Sequence, residues 1–385
     1  MKKVALQLIL GIVFVGEVAA ARLEYLVPPV ITHETIEAYI PCTRPMREGR
    51  FNIALDQQGD KVIVHCYGQG GSGCTTLWGS VEKAIALYDG EKVEPIHVIG
   101  SGIIGMTCAI ELVRKGYTVT GITAKELYDI PSWKNAGYFA VVSVQSDPDE
   151  EENMRAISMA SYLEYKEIYE GRHPYISKEC IRYLPVYCSQ ETESGVEALE
   201  ESGLIPAREY VTIDFGNGVQ HENFVKYMTY FMDTTRIMLE LRQEVDRLGI
   251  PIAQKEIGSF SEISEAVIFN CSGLGAKELN SDDKMVAVRG HLINLNSAAG
   301  SGHMDYMIYT KVTEVDGSHP YVYMFPKCLQ VTCEAPEGYA VFATLGGTFI
   351  PDTDRLSAEE LAELDAREFK ALLDRNSRFF HGSEF

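Results

Sequence analysis

The feature that most constrains this chain is a glycine-rich turn set between a short apolar strand and a helix. Ile96-His97-Val98-Ile99 reads as a strand, Gly100-Ser101-Gly102-Ile103-Ile104-Gly105 as a turn, and Met106 to Lys115 as a helix. Gly116-Tyr117 ends that helix and Thr118 to Thr123 reads as the next strand, which completes a βαβ unit. In such a unit Gly100 permits the tight turn and Gly102 lets the backbone approach a pyrophosphate at the helix N-terminus. Gly105 lets helix and strand pack closely. An acid is expected about 20 residues further on, and Glu126 holds that place. Ile103, Ile104 and Lys125 belong to the same expected ligand surface. The pattern predicts a bound dinucleotide; the plainer alternative is a structural glycine turn.

A second strand, glycine loop and helix precede this unit. Lys61 to Tyr67 has strand character, and Gly68-Gln69-Gly70-Gly71-Ser72-Gly73 follows. Leu77, Val81, Ala84, Ile85 and Tyr88 then recur on one helical face. The polar stretch 89–95 links the two units. Downstream, 146–222 reads as polar, Tyr-rich and irregular, with Asp147 to Glu152 as a solvated loop. Thr234 to Leu248 reads as a helix and Ala266 to Asn270 as a strand. The tail 357–380 reads as an amphipathic helix with Leu361, Leu364, Phe369 and Leu372 or Leu373 inward.

Composition narrows the function classes. A chain of 385 residues that is 46% hydrophobic and 23% charged is an ordinary globular sequence, with two domains as the default at about 150 residues each. A net charge of -21 repels phosphate backbones, so no nucleic-acid partner is expected. The nine cysteines are odd in number and widely spaced, without a CxxC, which argues against a disulfide framework or a zinc site. The nine histidines lack metal-ligand spacing, so no metal is expected. Lys2 and Lys3, the apolar run Val4 to Val15 and Ala19-Ala20-Ala21 read as a signal peptide spanning 1–21. That predicts export, against a cytoplasmic or peroxisomal chain if the leader is not used. No later stretch reaches about 18 uninterrupted apolar residues, so no membrane partner is expected after leader removal.

Further segments carry a resemblance. They are Arg44-Pro45-Met46-Arg47, His65-Cys66-Tyr67-Gly68-Gln69-Gly70-Gly71-Ser72-Gly73-Cys74-Thr75, Ala136-Gly137-Tyr138 and Asn270-Cys271-Ser272-Gly273. Arg289-Gly290-His291, Tyr323-Met324-Phe325-Pro326 and Leu345-Gly346-Gly347-Thr348 complete the set. Together, over most of 42–350, they resemble the D-amino acid oxidase family of FAD-dependent oxidoreductases. The resemblance implies an α/β fold: a Rossmann-like FAD-binding domain with a mixed-sheet α+β substrate domain. The FAD-binding core would span 50–139 and return at 223–277. The substrate domain would take 140–222 and 278–385, with 22–49. FAD would be held by Gly70, Gly71, Ser72, Gly73 and Thr75 together with Gly100, Gly102, Gly105 and their neighbours. Ala136 and Gly137 would lie against the isoalloxazine.

The same resemblance implies catalytic roles. Arg47 would take the substrate carboxylate, Tyr323 would add a hydroxyl with Tyr321 as its competitor, and the Gly71 carbonyl would orient the amine. A hydride would pass from the substrate Cα to flavin N5 without a protein general base. Imine hydrolysis and reoxidation by dioxygen would follow. The expected partners are a small D-amino acid and dioxygen, with a homodimer left open. D-aspartate would need a second cation, for which Arg44 is a weak candidate. His65, beside the flavin loop, is the histidine to watch.

One departure from the family is large: RPxR and the flavin loop come last in the family but here precede GxGxxG. The order reads as a circular permutation through the 89–95 linker, or as joined pieces of two adjacent gene copies. Two other readings compete. One is a non-catalytic flavin-binding descendant with a rearranged fold; the other, resting on GxGxxG alone, is an NAD-linked dehydrogenase.

Overall fold

The computed structural model describes residues 21–135, 137–296, 304–314, 317–328 and 341–385. Residues 1–20, which fall in the segment read as a signal peptide, and Ala136 lie outside the described residues. Two sheets form the framework. The smaller contains β3 (Asn52–Gln58), β4 (Lys61–Tyr67), β5 (Pro95–Ile99), β6 (Thr118–Ala124), β11 (Ile252–Gln254) and β12 (Val267–Asn270). Its order is β11-β6-β5-β12-β4-β3. All its pairings are parallel except β3 against β4. Each residue of β12 is buried, as a continuous apolar run in a parallel sheet covered on both faces requires.

The larger sheet contains β1 (Arg22–Tyr25), β2 (Ile36–Arg47), β7 (Gly137–Tyr138), β8 (Ile181–Ser189), β9 (Glu209–Asp214) and β10 (Gln220–Met232). It continues with β13 (Met285–Leu295), β14 (Met307–Lys311), β15 (Tyr321–Cys328) and β16 (Val341–Gly346). Its order is β1-β9-β10-β8-β14-β15-β16-β13-β2, with β7 paired to β10. The helices are α1 (Leu77–Ala86), α2 (Ile103–Arg114), α3 (Pro131–Lys134), α4 (Glu151–Tyr169), α5 (Glu197–Glu201), α6 (Thr234–Arg247), α7 (Ala276–Leu279) and α8 (Ala358–His381). This mixed α/β architecture agrees with the fold read from the sequence.

Both glycine loops therefore sit in one sheet, with β12 between β4 and β5. Helices α1 and α2 cover one face of it, while Phe260, Ile263 and Ile268 cluster with Ile63 and Ile99 on the other. Helix α1 meets α4 at close range: a Cβ on Gly79 would stand 2.3 Å from the Ile157 carbonyl, and the Gly79 N–H donates to Ser161 Oγ at 2.9 Å.

Two expectations need correction. Segment 146–222 is not irregular; it holds the 19-residue helix α4 and strands β8 and β9. Its buried face carries Ser158, Ser161, Tyr162 and Tyr165 beside Met154, Ile157 and Ile168, so the helical period is hidden among polar residue types. Strand β10 belongs to the larger sheet, so the return to the smaller sheet begins at α6 rather than at residue 223.

The tail helix forms as expected. Ser357 caps it through a capping box with Glu360, Leu364 is buried, and Leu372 and Leu373 pack against the larger sheet. Its end lies beside the start of the described chain: His381 Nε2 is 2.9 Å from the Pro29 carbonyl. No helix among the described residues is long and apolar enough to cross a membrane.

Candidate active site

A cavity of 770 Å³ opens where the carboxyl ends of β4, β5, β6 and β12 face the larger sheet. Open α/β sheets bind ligands at such a crevice. At one end stands the turn after β5. Gly100 has φ +110, and a Cβ there would meet the Cys271 carbonyl at 2.2 Å. Gly105 lies under that turn, where a Cβ would stand 1.9 Å from the Gly100 carbonyl. Gly102 is different: the nearest atom to its Cβ position is Ser132 Oγ at 3.3 Å, and Gly102 lines the cavity. Ile103, Ile104, Lys125 and Glu126 line the same end. Ser101 Oγ donates to the Glu126 carbonyl at 3.1 Å and the Ile103 N–H donates to Ser132 Oγ at 3.1 Å.

Ser272 also lines this cavity. Its hydroxyl is buried and has no hydrogen-bond partner among the described residues. A buried hydroxyl left unpaired costs about 1–3 kcal/mol, so a polar ligand atom is the partner this site calls for. The glycine cradle at the N-terminus of α2 and the orphaned Ser272 hydroxyl fit the pyrophosphate of FAD.

The loop after β4 forms the opposite wall with Gly70, Gly71, Gly73 and Thr75. The Gly71 N–H donates to the Ser143 carbonyl at 2.8 Å, and Thr75 Oγ1 donates to the Tyr138 carbonyl at 3.4 Å. Ser72, expected on this surface, instead gives its hydroxyl to the Val142 carbonyl and is not among the cavity residues. Gly137, expected against the flavin ring, is not there either. It pairs with Met232 in β10, whose carbonyl would lie 2.3 Å from a Cβ at this position. Tyr138 and Ala140 line the cavity in its place.

The other expected site residues separate. Arg47 is not a cavity residue. Its Nε donates to Asp282 Oδ2 at 2.8 Å and its Nη1 to the Arg50 carbonyl at 2.8 Å. Tyr67 donates to the same Asp282 oxygen at 2.7 Å. Burial alone would raise the Asp282 carboxyl, but the hydrogen bonds from Arg47 and Tyr67 outweigh it and hold that group below its ordinary value. Arg47 thus ties β2 to the turn before β13.

Arg44, three residues earlier, is the arginine that lines the cavity. Its guanidinium lies flat on Gly290, where a Cβ would come within 2.6 Å of Nη1, and Nη1 donates to the Thr348 carbonyl at 3.1 Å. Tyr323 lines the same region beside Tyr309 and Phe325. Its ring occupies the space a side chain at Gly346 would need and stacks on Phe325 at 4.9 Å. Burial raises the Tyr323 hydroxyl above its ordinary value against the opposing pull of the Arg44 guanidinium, so it stays protonated at neutral pH.

Sequence reasoning gave the anchor to Arg47 and kept Arg44 only as a weak candidate for a second cation. The available signal was Gly290, the one residue opposite β2 that leaves room for a guanidinium. His65 carries no such role: it is buried outside the cavity, with Nδ1 3.2 Å from Asn270 Nδ2. Burial lowers its affinity for a proton, against the pull of Asp56. Cys42, Cys66, Cys74, Cys108, Cys180, Cys188 and Cys271 are free and buried, and no metal-binding cluster occurs among the described residues.

Comparison with known proteins adds the family. The sequence model of the FAD dependent oxidoreductase family, DAO, matches residues 96–384. Arg44 and the loop after β4 lie outside the matched range. Among solved structures, a cysteine double mutant of Amadoriase I from Aspergillus fumigatus is 10% identical with a TM-score of 0.40. That alignment covers 68% of this chain and 64% of that one, so this chain spans under two thirds of its length. Fructosamine oxidase (Amadoriase II) from the same organism is 12% identical with a TM-score of 0.40, covering 75% of this chain and 89% of that one. L-amino acid deaminase from Proteus vulgaris, lacking its specific insertion, is 10% identical with a TM-score of 0.42, covering 76% of each chain. The family match spans the larger part of the chain, from the first strand of the βαβ unit to the end of the tail helix: the chain belongs to the FAD-dependent oxidoreductases of the DAO family, and FAD is its cofactor.

Proposed function

We propose that this protein oxidises a neutral α-amino acid, of D configuration by the sequence resemblance, with dioxygen as the final acceptor. The observation that carries this reading is the Arg44 guanidinium, seated on Gly290 in the same cavity as the glycine cradle. A planar guanidinium matches a carboxylate in two parallel hydrogen bonds. Tyr323 offers a protonated hydroxyl beside it, and the Gly71 carbonyl is the candidate partner for the amine. Tyr138, Tyr309 and Phe325 form an aromatic wall around the side chain: Tyr138 lies 5.6 Å from Tyr309 and 5.4 Å from Phe325 between ring centroids. Of the lysines and arginines that line the cavity, Lys125 pairs with Glu256 and Lys255 with Glu262, which leaves Arg44 for the substrate. Among the described residues that line the cavity, no further cation is left to meet an acidic side chain, so the neutral substrate is favoured.

FAD, when bound, accepts a hydride from the substrate carbon and passes the electrons to dioxygen. The protein's share is orientation and exclusion of water: Arg44 and Tyr323 fix the carboxylate, and the aromatic wall closes the pocket. No side chain is assigned as general base.

We also read the chain order as a rotation of the family's order. Three features support it: both glycine loops follow strands that pair in parallel with β12, α8 ends beside Pro29, and the short 89–95 segment joins the two units.

The deciding experiment is the visible spectrum of the purified full chain, before and after anaerobic addition of neutral D- or L-amino acids. Flavin bands that bleach with the D forms are expected. Bands that bleach only with the L forms would overturn the stereochemical part. Bands that persist with all amino acids would favour a flavin-binding protein without this activity.

Arg44 placement gives a further expectation. Gly290→Ala sets a methyl group where the guanidinium lies. Binding of benzoate, a plain carboxylate probe, should weaken roughly tenfold or more, the size of one charged hydrogen bond. Titration followed by the flavin absorption band measures it; unchanged affinity would remove Arg44 from the carboxylate site.

A further inference from the structure

Behind Arg44 a second layer of polar groups runs to the C-terminal helix. The Thr348 carbonyl accepts from Arg44, and Thr348 Oγ1 accepts from the His291 N–H at 2.8 Å. The same Oγ1 lies 2.9 Å from His291 Nδ1. The His291 ring is fully buried, and its Nε2 lies 2.9 Å from Asp365 Oδ1 in α8. Asp365 also receives Arg289 through Nε at 3.0 Å and Nη2 at 2.6 Å. Arg289 Nη1 then donates to Thr43 Oγ1 at 3.1 Å, on the residue before Arg44. Phe369, one turn along α8, packs edge-on to the His291 ring at 4.8 Å.

The hydrogen-bond inventory closes for a neutral ring. An ionised carboxylate only accepts, so Nε2 carries the proton and donates to Asp365. Nδ1 is then an acceptor, and the Thr348 hydroxyl donates to it. The tautomer follows from the partners. One carboxylate on α8 thereby holds both supports of Arg44: the carbonyl its guanidinium grips, and its neighbour in β2. Burial lowers His291, and the bonds from Arg289 and His291 keep Asp365 below its ordinary value against its own burial.

We infer that Asp365 is a positioning residue, which fixes the Arg44 guanidinium through Thr348 and His291 on one side and through Arg289 and Thr43 on the other. The inference rests on the reading of Arg44 as a carboxylate anchor. It makes the C-terminal helix part of the substrate site, although α8 contributes no cavity residue.

The test uses the FAD-loaded full chain and benzoate, followed by the change in flavin absorption. Asp365→Asn should weaken benzoate binding roughly tenfold, about one charged hydrogen bond. The Michaelis constant should rise in proportion, with kcat and flavin content near those of the unmodified chain. Glu363→Gln, at an exposed position of the same helix, should change neither. If the unmodified chain binds no benzoate, the anchor reading itself fails. If it binds and Asp365→Asn binds within twofold of it, the positioning role is overturned. Should Asp365→Asn not fold, Thr348→Val and Thr348→Ser decide. Weaker binding by the valine variant alone supports the role, and equal binding by both overturns it.

Discussion

Replacing Arg44 by methionine is expected to lower kcat/KM for a neutral amino acid by roughly 30-fold to 4,000-fold while the flavin stays bound. The estimate follows from removing one member of a desolvated charge pair, which costs about 2–5 kcal/mol at about 1.4 kcal/mol per tenfold. Methionine keeps the unbranched apolar stem and loses the guanidinium, so the strand pairing of Arg44 with Val288 in β13 should survive. Lysine should recover only part of the activity, because a point charge cannot make two parallel bonds to a carboxylate. Arg47→Met should behave differently. It strands Asp282 beside Tyr67, so its effect should fall on stability rather than on the Michaelis constant. Steady-state kinetics and thermal melting of the three variants make the comparison. Full activity in Arg44→Met, or a rise in the Michaelis constant confined to Arg47→Met, would sink the assignment.

The second large effect is at Gly105. An alanine methyl there would stand 1.9 Å from the Gly100 carbonyl and 2.8 Å from its carbon, both backbone atoms that cannot swing aside. Helix α2 must therefore back away from β5 or the turn must open. Overpacking of this kind costs about 3 kcal/mol or more. At roughly 1.2 °C per kcal/mol for a chain of this length, the melting temperature should fall by roughly 4 °C or more. The distorted turn should also lose flavin. Gly102→Ala is the control, since its methyl meets only Ser132 Oγ at 3.3 Å. That variant should fold normally and bind flavin more weakly, because the methyl enters the cradle. Flavin content and melting measured side by side separate the two effects. Normal melting and full flavin in Gly105→Ala would contradict the packing described for this turn.

Much of the dinucleotide half was legible in advance because its signals are local. A strand, a glycine turn and a helix each follow from neighbours within a few residues, and β5, α2 and β6 stand where the spacing put them. The same holds for β4 and α1, and for α8, whose capping serine and inward leucines are sequence features. Helix α4 was not legible, because Ser161, Tyr162 and Tyr165 fill its buried face. Polar types became core through burial against α1, which no local pattern announces.

The site divides along the same line. Residue types were set by the sequence: glycines for the cradle, two arginines in RPxR, tyrosines on β15. Which of the two arginines meets the cavity was not. Arg44 and Arg47 lie three residues apart on one strand, and an odd spacing turns extended neighbours to opposite faces. The pairing of β2 with β13 puts Gly290 under Arg44, while the turn before β13 puts Asp282 beside Arg47. Gly137 gave way to Tyr138 for a similar reason: β10 took the space behind the glycine. The sequence by itself determined a βαβ unit that can hold FAD and the chemical groups available to a substrate. Only the tertiary structure decided which groups face it, because that depends on strand pairings between segments far apart in the sequence, β2 with β13 and β7 with β10.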